Sequence, residues 1–137
     1  MIGSTVLCAT DFSAASELAL THSLIFARAT DSRLLLVHIL RAETYADADE
    51  AQAEAESRLE RILRSIKDVP CEYRLLKGDP AKEVLGIADR EKVELIAMGT
   101  HGRTGLMRLL MGSVAEQVVR HANCPVMTVK LPPDDHS

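Results

Sequence analysis

Residues 93–131 read "VELIAMGTHGRTGLMRLLMGSVAEQVVRHANCPVMTVKL". "VELIAMG" (93–99) is apolar at nearly every position, as a buried strand requires. Ser113 stands three residues before Glu116, the spacing of a capping box, and predicts a helix from Ser113 to about Ala122. Asn123 and Pro125 end that helix, and "PVMTVKL" (125–131) is a last strand. Between the first strand and the helix, residues 98–113 hold four glycines. Glycine there needs a reason: a positive φ, or close approach of a ligand or another backbone.

Upstream, strand and helix patterns keep alternating. "STVLCAT" (4–10) is a β-branched apolar run. Ser13 is a good N-cap with Glu17 in the first turn. Ala15, Leu18, Ala19, His22, Ile25, Phe26 and Ala29 then form one stripe at helical spacing, which predicts that His22 packs inward. "RLLLVHIL" (33–40) is a strand covered on both faces, with His38 at the margin of the core. From about Tyr45 to Ile66 the residues Ala48, Ala51, Ala55, Leu59, Ile62 and Ile66 share one face of a long amphipathic helix. "CEYRLLK" (71–77) alternates more and fits a strand nearer an edge. Asp79 and Pro80 supply the cap and first turn of a helix through Arg90.

Five strands alternating with four helices specify an α/β fold with a mostly parallel sheet and helices on both faces. The chain has 137 residues, the size of one domain, and neither an internal repeat nor a linker divides it. Ligands in such sheets sit beyond the carboxyl ends of the strands, where strand order reverses. Two segments occupy strand ends of this kind: "TDFS" (10–13) and the glycine stretch.

Composition narrows the function. With 47% apolar and 26% charged residues the chain is an ordinary globular one, and its longest apolar run is too short to span a bilayer. The N-terminus shows no secretory signal, so a cytoplasmic location is expected. A net charge of −4 and only two Tyr and two Phe count against a polyanion binder that stacks bases. Cys8, Cys71 and Cys124 form no CxxC pair and read as small buried hydrophobes kept reduced in the cytosol.

The glycine stretch fails two familiar phosphate tests. It has no Gly-Lys pair for a Walker loop, and Gly99, Gly102 and Gly105 lack the leading GxG of a dinucleotide fingerprint. What remains is Gly99, two residues, Gly102, nine residues, then Gly112 and Ser113. The first two glycines are read as a tight turn with converging N–H groups. The closing Gly-Ser sits at a helix N-terminus, which favours an anion.

In this spacing, and in "TDFSAAS", "LLLVHIL", "GTHGRTG" and "GSVAEQVVRHANCPVMTVK", the chain resembles the universal stress proteins of the ATP-binding type over essentially its whole length. The resemblance implies a Rossmann-like sheet of order 3-2-1-4-5, which sets "TDFS" and the glycine loop on one crevice. It implies a nucleotide among Ala9, Thr10, Asp11, Ile39, Met98, Gly99, His101, Gly102, Arg103, Gly112, Ser113 and Val114. In that reading Asp11 lies near the ribose and a phosphate-bound magnesium, Ile39 offers backbone groups to adenine, and the motif glycines with Ser113 hold the phosphates. Ala9 departs from the proline of many relatives. ATP, ADP or AMP is the implied ligand, and homodimerisation through strand 125–131 the implied assembly, ahead of a frayed tail.

Bland roles stand beside these. Asp11 also suits a turn before a helix, and Ser113 is already explained by its capping box. Arg103 and Arg108 are either phosphate-facing or simply solvated, and Met107 and Met111 either cover the nucleotide or meet a partner. His101 has no orienting partner in the sequence, so no catalytic residue is named. The expectation is nucleotide held as a ligand or switch in a stress response, with slow or no hydrolysis. An interaction module without ATP and a slow ATPase are the alternatives. Gly105 is read as the hinge of a flap over the phosphates.

Overall fold

The computed structural model describes residues 4–41, 48–101 and 111–132. The order is β1 (Thr5–Ala9), α1 (Ala14–Thr30), β2 (Arg33–Leu40), α2 (Ala48–Ser65), β3 (Cys71–Lys77), α3 (Pro80–Glu91), β4 (Leu95–Gly99), α4 (Ser113–His121) and β5 (Val126–Val129). The five strands form one sheet of order β3-β2-β1-β4-β5, and every pairing is parallel. β1 therefore leads to β2 on one side, and the chain later crosses to β4 on the other. The switch point lies between β1 and β4, as expected.

Burial explains the strands. Val6, Leu7, Cys8, Leu34 to Val37, Ile96 and Ala97 are wholly inaccessible, because helices cover both faces. Alternation along each strand divides the core in two. Leu7, Leu35, Val37, Ile39, Ile96 and Met98 pack on α3 and α4. Val6, Cys8, Leu34, Leu36 and Leu95 pack with α1 and with Leu59 of α2. β3 is an edge, and its mixed "CEYRLLK" is only partly buried, with Lys77 exposed.

α1 corrects the expected stripe. Its buried residues are Ala15, Ser16, Ala19, Ser23 and Ala27, whereas His22, Ile25 and Ala29 are exposed. The helix lies close to the sheet, so small residues take the inner face and the larger apolar ones move outward or to its flanks. Ser23 is tolerated because its hydroxyl donates to the Ala19 carbonyl at 2.7 Å. Gly99 belongs to the same seam. A Cβ there would lie 2.8 Å from Cβ of Ala15 and 3.1 Å from its carbonyl carbon. Gly99 is also not in a turn, since it closes β4 opposite Val129. Close approach of another backbone, rather than a turn, accounts for this glycine.

The end caps agree with the sequence at α1 and α3 and differ at α4. Ser13 accepts from Ser16 N–H, and Asp79 accepts from Lys82 N–H. At α4 the N-cap is Gly112, not Ser113, and no side chain among the described residues caps the helix. Gly112 N–H donates to the Thr100 carbonyl at 2.7 Å, which fixes the helix start one residue early. Glu116 then bonds back to the Gly112 carbonyl and pairs with Arg120 instead of closing a capping box.

Candidate functional site

A cavity of about 730 Å³ opens at the carboxyl ends of the strands, between the β1–α1 turn, the ends of β2 and β4, and the starts of α3 and α4. α2 closes one side of it with Ala51, Glu54, Ala55 and Arg58. Ligand sites commonly span roughly 300–1,000 Å³ and favour switch points of this kind.

The floor is the β1–α1 turn, and hydrogen bonds fix it residue by residue. Thr10 N–H continues the ladder to the Val37 carbonyl at 2.8 Å. The Thr10 hydroxyl accepts from Phe12 N–H at 3.0 Å and shares a 3.0 Å hydrogen bond with the Ser16 hydroxyl. Asp11 Oδ1 accepts from Ser13 N–H at 3.0 Å, the turn role that its sequence position also suits. Phe12 adopts φ 65°, the left-handed region that bulky residues avoid. Its ring is thereby turned onto His38, with centroids 4.4 Å apart. His38 is buried, its Nδ1 2.7 Å from the Thr10 carbonyl oxygen.

That contact matters for Ile39. In a parallel ladder backbone groups alternate sides; the Val37 carbonyl turns to β1 and the Leu40 carbonyl to Gly78 beside β3. Ile39 therefore directs its N–H and carbonyl to the β1 side, beyond the end of β1 at Ala9. Among the described residues neither group meets a ladder partner there, while Ile39 as a residue is 9% exposed. A donor and an acceptor side by side at a cavity edge can pair with a polar ligand.

The far wall is the start of α4. The first N–H groups of a helix have no partner in the helix, and Gly112 has no side chain to offer them. Ser113 is exposed, and both it and Val114 line the cavity. The helix dipole adds partial positive charge at this end, worth up to about 2 kcal/mol to an anion. Gly112 has φ −70°, so a left-handed backbone does not explain it. A Cβ there would sit 3.3 Å from the Thr100 carbonyl oxygen. Thr100 in turn donates its N–H and hydroxyl to the Val129 carbonyl. The two ends of the glycine stretch are thus pinched together at Thr100 and Gly112.

Of the twelve residues singled out in the sequence, ten line this cavity: Ala9, Thr10, Asp11, Ile39, Met98, Gly99, His101, Gly112, Ser113 and Val114. Gly102 and Arg103, with Gly105, Met107 and Arg108, lie outside the described residues. Sequence reasoning missed Phe12, Glu54 and Arg58. The signal was available: Glu54 and Arg58 are four apart and flank the Ala51/Ala55 face of α2. Among the described residues no three His, Cys, Asp or Glu side chains gather to hold a metal, and no helix is long and apolar enough to cross a membrane.

Comparison with known proteins agrees with this architecture. The model of the universal stress protein family matches residues 4–130. Universal stress protein MJ0531 of Methanocaldococcus jannaschii is 30% identical, the match covering 93% of this chain and 82% of that protein. The solved structure of MJ0577, also from M. jannaschii, superposes with a TM-score of 0.87 at 30% identity, covering 98% of this chain and all of that one. A universal stress protein from Archaeoglobus fulgidus, solved in complex with dAMP, superposes with a TM-score of 0.71 at 25% identity, covering 95% of this chain and 100% of that one.

Proposed function

We propose that this chain, which belongs to the universal stress protein family, is a single nucleotide-binding unit that holds ATP, or its ADP or AMP products, as a ligand or switch in a stress response. The observation that carries the reading is the switch-point cavity onto which the uncapped start of α4 opens. The A. fulgidus relative solved in complex with dAMP supports an adenine nucleotide as its occupant.

In this reading the base lies on the Ile39 edge, where the backbone N–H and carbonyl match the donor and acceptor pattern of adenine. Met98, Val114 and Val84 supply an apolar surround. The phosphates meet the N–H groups at the start of α4. Magnesium commonly binds through one or two carboxylates plus substrate phosphates. Asp11 on the cavity floor fits that pattern. When bound, the metal would neutralise phosphate charge beside Asp11.

Efficient hydrolysis needs a positioned water, a residue to orient it and a cation on the transition state. The family resemblance points to binding rather than turnover, so we expect hydrolysis slower than about 1 per second. β5 has β4 on one side only, and its free edge suits a second copy of the chain in a homodimer.

Titration calorimetry with ATP, ADP and AMP, with and without magnesium, tests the proposal. Saturable binding with a magnesium-dependent gain for ATP is expected, and mass spectrometry of nucleotide released from the purified protein identifies the resident species. A folded sample that binds none of the three favours an interaction module instead.

A further inference from the structure

The cavity has two sides, and the nucleotide reading uses one of them. Side chains alternate along β2, so Ile39 faces α3 and α4 while His38 faces the α1 and α2 side with Phe12. On that second side stand Phe12, His38, Ala51, Glu54, Ala55 and Arg58.

Arg58 is the informative member. Its Cζ lies 5.0 Å from the centroid of the Phe12 ring, a cation–π contact. The ring is itself held by the left-handed Phe12 backbone, the Phe12 N–H bond to Thr10 and the His38 contact. The other partner of the guanidinium is Glu54, at 3.7 Å, beyond hydrogen-bond reach. Among the described residues its N–H groups thus meet no hydrogen-bond acceptor, although the side chain is only 39% exposed. Arg28 and Arg33, by contrast, donate to Asp68, and to Thr5 and Glu72. An arginine positioned by an aromatic ring and facing a cavity, with only a long ion pair to Glu54 among the described residues, is suited to an oxyanion.

We propose that Arg58 is a specificity-determining residue of this cavity, favouring adenine nucleotides that carry a second anionic group on the ribose 2′ or 3′ oxygen. The proposal rests on the nucleotide reading above. With the base at Ile39 and the 5′ phosphate at the start of α4, the ribose crosses Thr10 and Asp11. Its 2′ and 3′ oxygens then face the Phe12 side, where Arg58 waits. Among the described residues, Glu54 and Asp11 are the carboxylates lining the cavity, and Arg41 is a further cation at the end of β2 with interactions of its own. Removing Arg58 takes away one of these two arginines while both carboxylates stay, which disfavours the added anion.

Calorimetry on the full chain with AMP, adenosine 3′,5′-bisphosphate and adenosine 2′,5′-bisphosphate tests this. At least one bisphosphate is expected to bind about tenfold tighter than AMP, the worth of one charge-assisted contact. In Arg58→Ala that ratio falls to one or below, and Arg58→Lys lies between. Circular dichroism confirms that each variant is folded. If neither bisphosphate binds tighter than AMP, or if Arg58→Ala keeps the ratio, the proposal is overturned while nucleotide binding stands. If AMP, ATP and both bisphosphates all fail to bind, the nucleotide reading falls and this proposal with it.

Discussion

Replacing Gly99 with alanine separates a packing role from a ligand role at the residue where the two readings meet. The added Cβ would lie 2.8 Å from Cβ of Ala15, 3.1 Å from its carbonyl carbon and 3.3 Å from Ser16 N. Two of those three atoms are backbone in the first turn of α1, so no side-chain rotation relieves the clash and the helix start must shift. Overpacking of this kind costs about 1–3 kcal/mol. With an unfolding entropy of about 2.1 cal/mol/K per residue, this chain loses roughly 7 °C of Tm for 2 kcal/mol. Urea unfolding followed by circular dichroism reads the loss as a lower midpoint at unchanged slope. Adding Ala15→Gly removes the nearest atom, so the double variant should be more stable than the two single losses predict. A Gly99→Ala protein that unfolds at the wild-type midpoint yet binds nucleotide poorly would refute the reasoning and return Gly99 to the phosphates.

Two serines give a second test: Ser13→Ala loses the bond to Ser16 N–H and should cost about 1 kcal/mol, whereas Ser113→Ala, one residue past the true cap, should cost less than about 0.5 kcal/mol. Equal losses in urea unfolding would contradict the cap assignment. Cys8 is wholly buried, and burial pushes its thiol from 9.0 up to about 12, partly offset by a Ser23 hydrogen bond. The folded state therefore holds this proton more tightly than the unfolded one, so its contribution is complete below pH 9 and is lost as pH rises toward about 12. Alkylation of native protein at pH 8 should reach the partly exposed Cys71 and Cys124 well before Cys8, and rapid native labelling of Cys8 would count against its burial.

The architecture was legible wherever local chemistry and tertiary demand coincide. "RLLLVHIL" could only be a strand covered on both faces, and Asp79-Pro80 could only open a helix; both boundaries match the structure. The stripe on α1 was misread because hydrophobicity ranks Ile25 above Ser23, while the close helix–sheet approach ranks by size. Ser113 was misread because the capping-box spacing is blind to Gly112, whose bond to Thr100 is set by the other end of the loop. The place of the cavity was legible at Asp11 and Gly112, which line it, whereas Gly99 owes its identity to packing on Ala15. Phe12 and Arg58 were not legible, because the contact joins residues 46 positions apart in sequence, and no local pattern encodes it.

The seam between α1 and β4 has a consequence for the temperature response of the site. Ala15, Ala19, Ala27 and Gly99 have no side-chain rotamers to freeze, so ordering this wall costs backbone entropy alone. They also cover little apolar surface each, and so contribute little to the heat-capacity change that makes larger hydrophobic contacts fade on cooling. The wall that presents Thr10, Asp11 and Ser13 is thus held by fit between backbones, and its geometry should drift less between cold and warm conditions than that of the α2 side, where Phe12 and Arg58 meet through long side chains.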